Sequence, residues 1–279
     1  MNAALWKKAV RESQWLLLIC AVGLFLFCFL RIWIVSTVEM SRFAAIIGEL
    51  WEDIEKFSTV PLAHLLTYAG RIAVVYNEPL VLLIVSVWAV SRGSDVVSGE
   101  IGRGTMEMLL AQPTSRLQIL LSQGVVGVVG VFVLCIASWA GSASGIYYFH
   151  VKEQPPAPSI RVPGVNFKIP LPFLEPTSDE PVKTPLREKV DPRVLLPAVT
   201  NLASLGLFLL GLTTLFSALD HQRWRTIGAA STLWVVSLAA KAIGMAVEQA
   251  RWLNYCSFFT PYSPEWAVYV GMHKPDMAA

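Results

Sequence analysis

Five stretches of this chain are long, apolar and almost free of charge, and that pattern leaves few folds open. Residues 13–30 carry no charge, with Glu12 at the edge; residues 72–91 carry only Glu78; residues 117–149 and 194–219 carry none; residues 226–247 carry only Lys241. Each reaches the length of about 18 to 20 residues that a helix needs to cross a hydrocarbon core about 30 Å thick. Only 15% of the residues are charged, against roughly 25% in ordinary soluble domains. The reading is an all-α integral membrane protein, a polytopic helical bundle with five spans at about 13–35, 72–91, 117–149, 194–219 and 226–247. Residues 1–279 are taken as a single transmembrane domain.

Lys7, Lys8 and Arg11 ahead of the first run resemble the start of a secretory signal peptide. The run is long, however, Arg31 interrupts its far end, and no small-x-small cleavage site follows, so it is read as a retained first span. The four cysteines, Cys20, Cys28, Cys135 and Cys256, form no Cys-x-x-Cys pair, and three lie inside spans. They read as apolar packing residues rather than as disulfides or metal ligands. The net charge of +2 carries no partner information by itself, and no nucleic-acid partner is expected.

Lysine and arginine concentrate in short cytoplasmic loops. A cytoplasmic N-terminus puts residues 1–12, 92–116 and 220–225 on that side, with eight Lys or Arg, against twelve spread over much longer connections on the other. The first outer connection carries Phe43, Ile46, Ile47, Leu50, Ile54 and Phe57 at helical spacing, with Glu49, Glu52, Asp53 and Glu55 mostly opposite, which makes an amphipathic helix. The second, residues 150–193, holds ten of the seventeen prolines and so forms no long helix. Within it, residues 160–162 and 165–169 flank Pro163-Gly164 and suit a small hairpin, while the rest is expected to be extended and mobile. No sixth crossing fits residues 252–279, which contain Pro261, Pro264, Glu265, Lys274, Pro275 and Asp276. Either the chain is shorter than a six-span protein or this segment docks at the outer surface.

The segment 92–116 between spans two and three is charged and punctuated by glycine. Gly99, Gly102 and Gly104 loosen the backbone there. Thr105 is a good N-cap, Glu107 sits favourably in the first turn, and a short helix over 106–112 places Met106, Leu109 and Leu110 on one face before Pro113 ends it. Thr114 or Ser115 then caps the third span. The product is a stubby helix with an apolar knob and charged flanks, a shape that seats in a groove of a soluble partner.

In order along this segment stand Gly99-Glu100, Arg103-Gly104-Thr105, Glu107, Leu109-Leu110 and Pro113. The set resembles the cytoplasmic coupling segment of ABC-2 type transporter permeases, and it lies where that family places it. The resemblance implies the permease subunit of an ATP-binding cassette transporter, an exporter, in a cell membrane read as the bacterial cytoplasmic membrane. It implies two permeases, identical or different, assembled with two ABC ATPase subunits and surrounded by membrane lipids. Gly99, Glu100, Arg103, Gly104, Thr105, Met106, Glu107, Leu109, Leu110 and Pro113 would form the ATPase-coupling site.

The chain has no Gly-Lys dipeptide and hence no P-loop, so ATP and magnesium are expected on the separate ATPase, with no cofactor bound directly. His64, His150, His221 and His273 are scattered over different connections, so neither a metal site nor a catalytic set can be argued, and the chain is not read as an enzyme. Arg31, Glu78 and Lys241 are intramembrane charges, and such charges are functional candidates because hydrocarbon disfavours them. Glu78 and Lys241 lie at matching depths, so they pair if spans two and five are neighbours; otherwise each snorkels to the outer interface, and substrate contact is the alternative. Trp6, Trp15, Trp33, Trp88 and Trp252, near span ends, read as interfacial anchors. The rival reading from another class is a non-transporting membrane scaffold or a subunit of an assembly machine.

Overall fold

The computed structural model describes residues 3–38, 43, 47–48, 58, 60–105, 116–153, 159–161, 168–170 and 182–273. Most of the amphipathic segment 43–57, the short helix 106–112 and the hairpin turn at Pro163-Gly164 lie outside these residues. The described chain begins with α1 (Ala3–Thr37). It continues through α2 (Leu62–Leu65) and α3 (Tyr68–Ala73), then a 3-10 turn at Val74–Asn77. Next come α4 (Pro79–Ser94), which extends as a helix to Gly102, and α5 (Arg116–Tyr148). After the strands β1 (His150–Glu153), β2 (Ser159–Arg161), β3 (Lys168–Pro170) and β4 (Val182–Pro185), the chain enters α6 (Leu196–Leu219) and α7 (Arg223–Ala246). The short helices α8 (Leu253–Cys256) and α9 (Pro264–His273) follow. Five of these helices, α1, α4, α5, α6 and α7, are long and apolar enough to cross a membrane, so the protein is an all-α polytopic membrane protein.

One end of the bundle carries the N-terminus and the 92–105 segment; the other carries the strands. At the strand end β1 pairs antiparallel with β4, His150 opposite Pro185, and β2 pairs with β3, Ile160 opposite Ile169. The second pair is the hairpin expected around Pro163-Gly164. The first pair was not legible, because its partners stand about thirty residues apart and neither alternates clearly.

The second spanning helix is displaced along the sequence from the expected 72–91. Glu78 is extended, with φ −64° and ψ 137°, and Pro79 opens the helix. A proline disfavours the α conformation at the residue before it yet suits the first helical position, and here the break falls between Asn77 and Pro79. At the other end the helix runs on through the charged residues to Gly102.

α1 lies along α5 for most of its length. Around Gly141 the two backbones touch: a Cβ there would stand 2.4 Å from the Phe25 carbonyl oxygen. Small residues let membrane helices approach in this way, and dispersion between the backbones replaces the hydrophobic drive that lipid does not supply. On another face of α5, a Cβ at Gly130 would strike the Trp88 ring at 1.9 Å. Trp88 is fully buried and donates its indole N–H to the Gly127 carbonyl at 3.1 Å. Of the five tryptophans read as anchors, Trp88 is therefore a packing residue, whereas Trp15, Trp33 and Trp252 are exposed. Cys20, Cys28 and Cys135 are buried within the helices with free thiols.

Residues 247–264 do not cross the bundle. They fold back beside α7: Asn254 donates to the Gly244 carbonyl at 3.1 Å and Ser257 to the Ser237 carbonyl at 2.7 Å. Ser237 lies nine residues before the end of α7, about 14 Å along its axis. Phe259 meets Trp234 edge on at 5.5 Å, and α9 then climbs back until Gly271 reaches Pro197 at the start of α6. The segment dips into the bundle and returns, where sequence patterning suggested docking at the surface.

Gly141→Leu should drive α1 away from α5, at a cost of at least about 1 to 3 kcal/mol for overpacking. Thermal unfolding in mild detergent reads the effect; an unchanged midpoint would refute the close contact.

Candidate functional site

At the N-terminal end of the bundle, ionisable and polar side chains from all five spanning helices meet. The centre is the last part of the α4 helix, where Asp95–Gly99 forms a π-turn. A π-turn accommodates one residue more than an α-turn and weakens the regular ladder. Ser217 of α6 compensates, since its hydroxyl accepts from the backbone N–H groups of Val97 at 3.2 Å and Ser98 at 2.9 Å. The same hydroxyl donates to the Ser94 carbonyl at 3.1 Å, and the Ser98 hydroxyl lies 3.3 Å from that of Thr226 on α7. Gly99 is required here by space, because a Cβ would stand 2.3 Å from Asp95 Oδ1.

Two buried carboxylates bracket this turn, Asp95 at its start and Glu100 just after its end. Asp95, 4% exposed, receives Arg92 Nη1 at 3.2 Å, Arg103 Nη1 at 2.7 Å and Arg223 Nη1 at 3.4 Å. Glu100, with no exposed surface, receives Lys8 Nζ at 2.9 Å, Arg103 Nη2 at 3.1 Å and Gln123 Nε2 at 3.4 Å, together with the Thr105 hydroxyl. Gln123 completes the circuit by accepting from Arg92 Nη2 at 2.5 Å. Arg103 thus bridges both acids. Burial alone would lower its pKa, but the hydrogen bond and charge of Asp95, with those of Glu100, outweigh burial and hold the value above the ordinary one.

Of the expected coupling residues, the structure brings Gly99, Glu100, Arg103 and Thr105 into this cluster. Gly104 turns the chain just beyond it with φ +68°, a conformation that favours glycine. Met106, Glu107, Leu109, Leu110 and Pro113 lie outside the described residues. The Thr105 hydroxyl, expected to cap a following helix, is joined to the Glu100 carboxylate and carbonyl. Sequence reasoning missed Lys8, Arg92, Asp95, Gln123, Ser217, Arg223 and Thr226. Lys8, Arg92 and Arg223 had been read only as side-determining charges. The available signal was that each lies at the same end of its span as Glu100.

The intramembrane charges are arranged differently from the expectation. Glu78 forms its ion pair with Arg31 of α1, not with Lys241. Lys241 donates to the carbonyls of Phe259 at 2.9 Å and Tyr262 at 2.8 Å. The reason is the break at Pro79, which removes Glu78 from the helix and sets it beside α1, together with the infolded C-terminal segment, whose carbonyls occupy the Lys241 ammonium. Among the described residues, no group of His, Cys, Asp and Glu is placed to hold a metal ion.

The fold and this cluster define a polytopic helical membrane protein whose helix ends are gathered on one charged segment. A family model described as ABC-2 family transporter protein matches residues 6–154, more than half of the chain, including the first three spanning helices and the charged segment. The chain belongs to that family and is a membrane permease of the ABC transporter type. No curated protein and no solved structure matches it.

Glu100→Ala should leave Lys8 with only the longer contact to Glu12 at 3.9 Å and Arg103 with Asp95 alone, costing less than the roughly 3 to 5 kcal/mol of breaking a fully buried pair, because both cations keep a counter-charge and Lys8 is a third exposed. Lys8→Ala with Glu100→Ala should cost less than the sum of the single changes, read as a thermal-stability cycle in detergent. Strict additivity would exclude the Lys8–Glu100 coupling.

Proposed function

We propose that this chain is the membrane subunit of an ABC exporter and that residues 99–113 receive the stroke of a separate ATPase. The observation that carries this reading is the buried cluster beside that segment, in which Glu100 and Asp95 gather side chains from α1, α5 and α7, and Ser217 adds α6. A push on 106–113 arrives first at Thr105 and Arg103, both joined to Glu100. From Glu100 it passes to α1 through Lys8 and to α5 through Gln123; from Asp95 it passes to α7 through Arg223. A short displacement of one loop thereby becomes a concerted movement of helix ends, because packed helices rearrange as rigid bodies rather than deform.

On this reading the N-terminus and the 92–116 segment face the cytoplasm of a bacterial cell, and the strands lie outside. Two permeases, identical or different, assemble with two ATPase subunits, which hold ATP and magnesium. Arg31, Glu78 and Lys241 then hold the outer half of the bundle together, and closure of the ATPases changes access to a pathway between the two permeases.

Replacing Leu109 and Leu110 together by Asp should abolish retention of the ATPase on purification from mild detergent while leaving the melting midpoint of the permease unchanged. Full retention of the ATPase would refute the contact. Orientation is read separately: protease added outside intact membranes should cut between Lys152 and Lys189 and spare Arg103, since exposed connections of this composition are the preferred sites of nicking. Cleavage at Arg103 with the strand end protected would invert the topology.

A further inference from the structure

Between α4 and α7 run two cavities that share one wall. The deeper one, about 370 Å³, lies between Leu83, Val87 and Val90 of α4 and Ile227, Ser231 and Val235 of α7. The other, about 270 Å³, opens at the strand end beside Asn77, Lys241 and Glu265. Trp234 lines both, held in place by its indole N–H donating to the Ser86 hydroxyl at 2.8 Å and by the edge of Phe259. Both lie along the trough between α4 and α7 and meet at Trp234. From Lys241 to Ile227 it covers fourteen residues of helix, about 21 Å, some two thirds of a hydrocarbon core about 30 Å thick.

We infer that this trough binds a single lipid-like amphiphile from the surrounding bilayer, with a zwitterionic head at the Lys241–Glu265 mouth and its chain along the Leu83–Val87 wall. Three observations commit the site to that occupant. The walls of the deep part are apolar, and Leu83, Val87 and Val235 are 51%, 44% and 57% exposed, so a chain enters sideways from hydrocarbon. The mouth holds opposite charges at membrane depth, which neither a bare hydrocarbon nor an apolar helix of a second copy satisfies. Lys241 uses two of its three N–H donors on the Phe259 and Tyr262 carbonyls, and among the described residues the third remains for an anionic oxygen. Glu265, 8% exposed, accepts from Asn77 at 3.2 Å and lines the same mouth, so that a carboxylate stands beside the ammonium there.

The test uses the full chain in phosphatidylglycerol vesicles carrying a trace of a single-chain phosphocholine lipid with a photoactivatable diazirine at the end of its chain. Label should concentrate on residues 83–90 and 227–235. Excess unlabelled single-chain phosphocholine should reduce that label to the level found on the exposed Leu18, Ile19, Val22 and Leu26 of α1, which the competitor should not change. Val87→Trp, which fills the deep cavity, should give the same loss; if this variant fails to fold, the pattern and its competition in the unaltered chain still decide. Equal labelling of α1, α4 and α7, or no competition, would overturn the site, and cross-links between the α7 helices of two copies would show that the trough is an interface instead. Retention of the ATPase is measured on the same preparation, so loss of lipid binding and loss of coupling are distinguished.

Discussion

A carboxylate removed from water must be compensated where it stands, and Glu100 meets this constraint with partners from three helices. Its side chain has no solvent contact, and the groups that surround it are Lys8, Arg103, Thr105 and Gln123. Without them the charged form would be strongly disfavoured. α1, α4 and α5 are therefore held together at this end by one charge as well as by packing. Asp95 does the same for α7 through Arg223. Lys8, Arg103 and Arg223 stand at the rim, a third or more exposed, while Arg92 and the anions lie beneath. Such a network is sensitive to small displacements, as the proposed coupling role requires.

The opposite end solves a different problem with one lysine. Backbone outside a helix has unpaired carbonyls, and at membrane depth these are tolerated only when buried in protein and satisfied. The infolded segment 247–264 presents such groups, and Lys241 takes two of them. The Tyr262 hydroxyl donates to the Tyr76 carbonyl, which ties the segment to the 3-10 turn before Pro79. The same lysine that reads in sequence as an isolated charge is thus the anchor of the only irregular backbone described at that depth beside α7.

The five spanning helices were legible because length and apolarity are written directly in the sequence, and so was the β2–β3 hairpin around its Pro-Gly pair. What escaped was whatever depends on two distant segments meeting. Glu78 appeared to be a charge within the second span only because the apolar run passes through Pro79 without interruption; the backbone does not. The segment 92–116 reads as a charged cytoplasmic connection, yet Arg92, Asp95 and Glu100 are buried, since their partners arrive from Lys8, Gln123 and Arg223. The charged segment between the second and third spans stood out by its glycines and its Arg-Gly-Thr, but nothing in one sequence pairs Glu100 with Lys8.

The π-turn explains how the cluster closes. Arg92 and Glu100 both reach Gln123, one donating to its oxygen and the other accepting from its nitrogen. Eight residues separate them. In an unbroken α-helix each residue advances the facing by about 100°, so Glu100 would point about 80° away from Arg92. The extra residue held in the turn at Asp95–Gly99 takes back about 100° and brings the two within about 20° of one face. The single irregular turn in α4 therefore aligns an arginine above it and a carboxylate below it on the same glutamine. Ser217 secures the backbone N–H groups where the turn departs from the α ladder, and Gly99 makes room for the Asp95 carboxylate. A regular helix of the same composition would present Glu100 to another neighbour and leave Lys8 with Glu12 as its partner on α1.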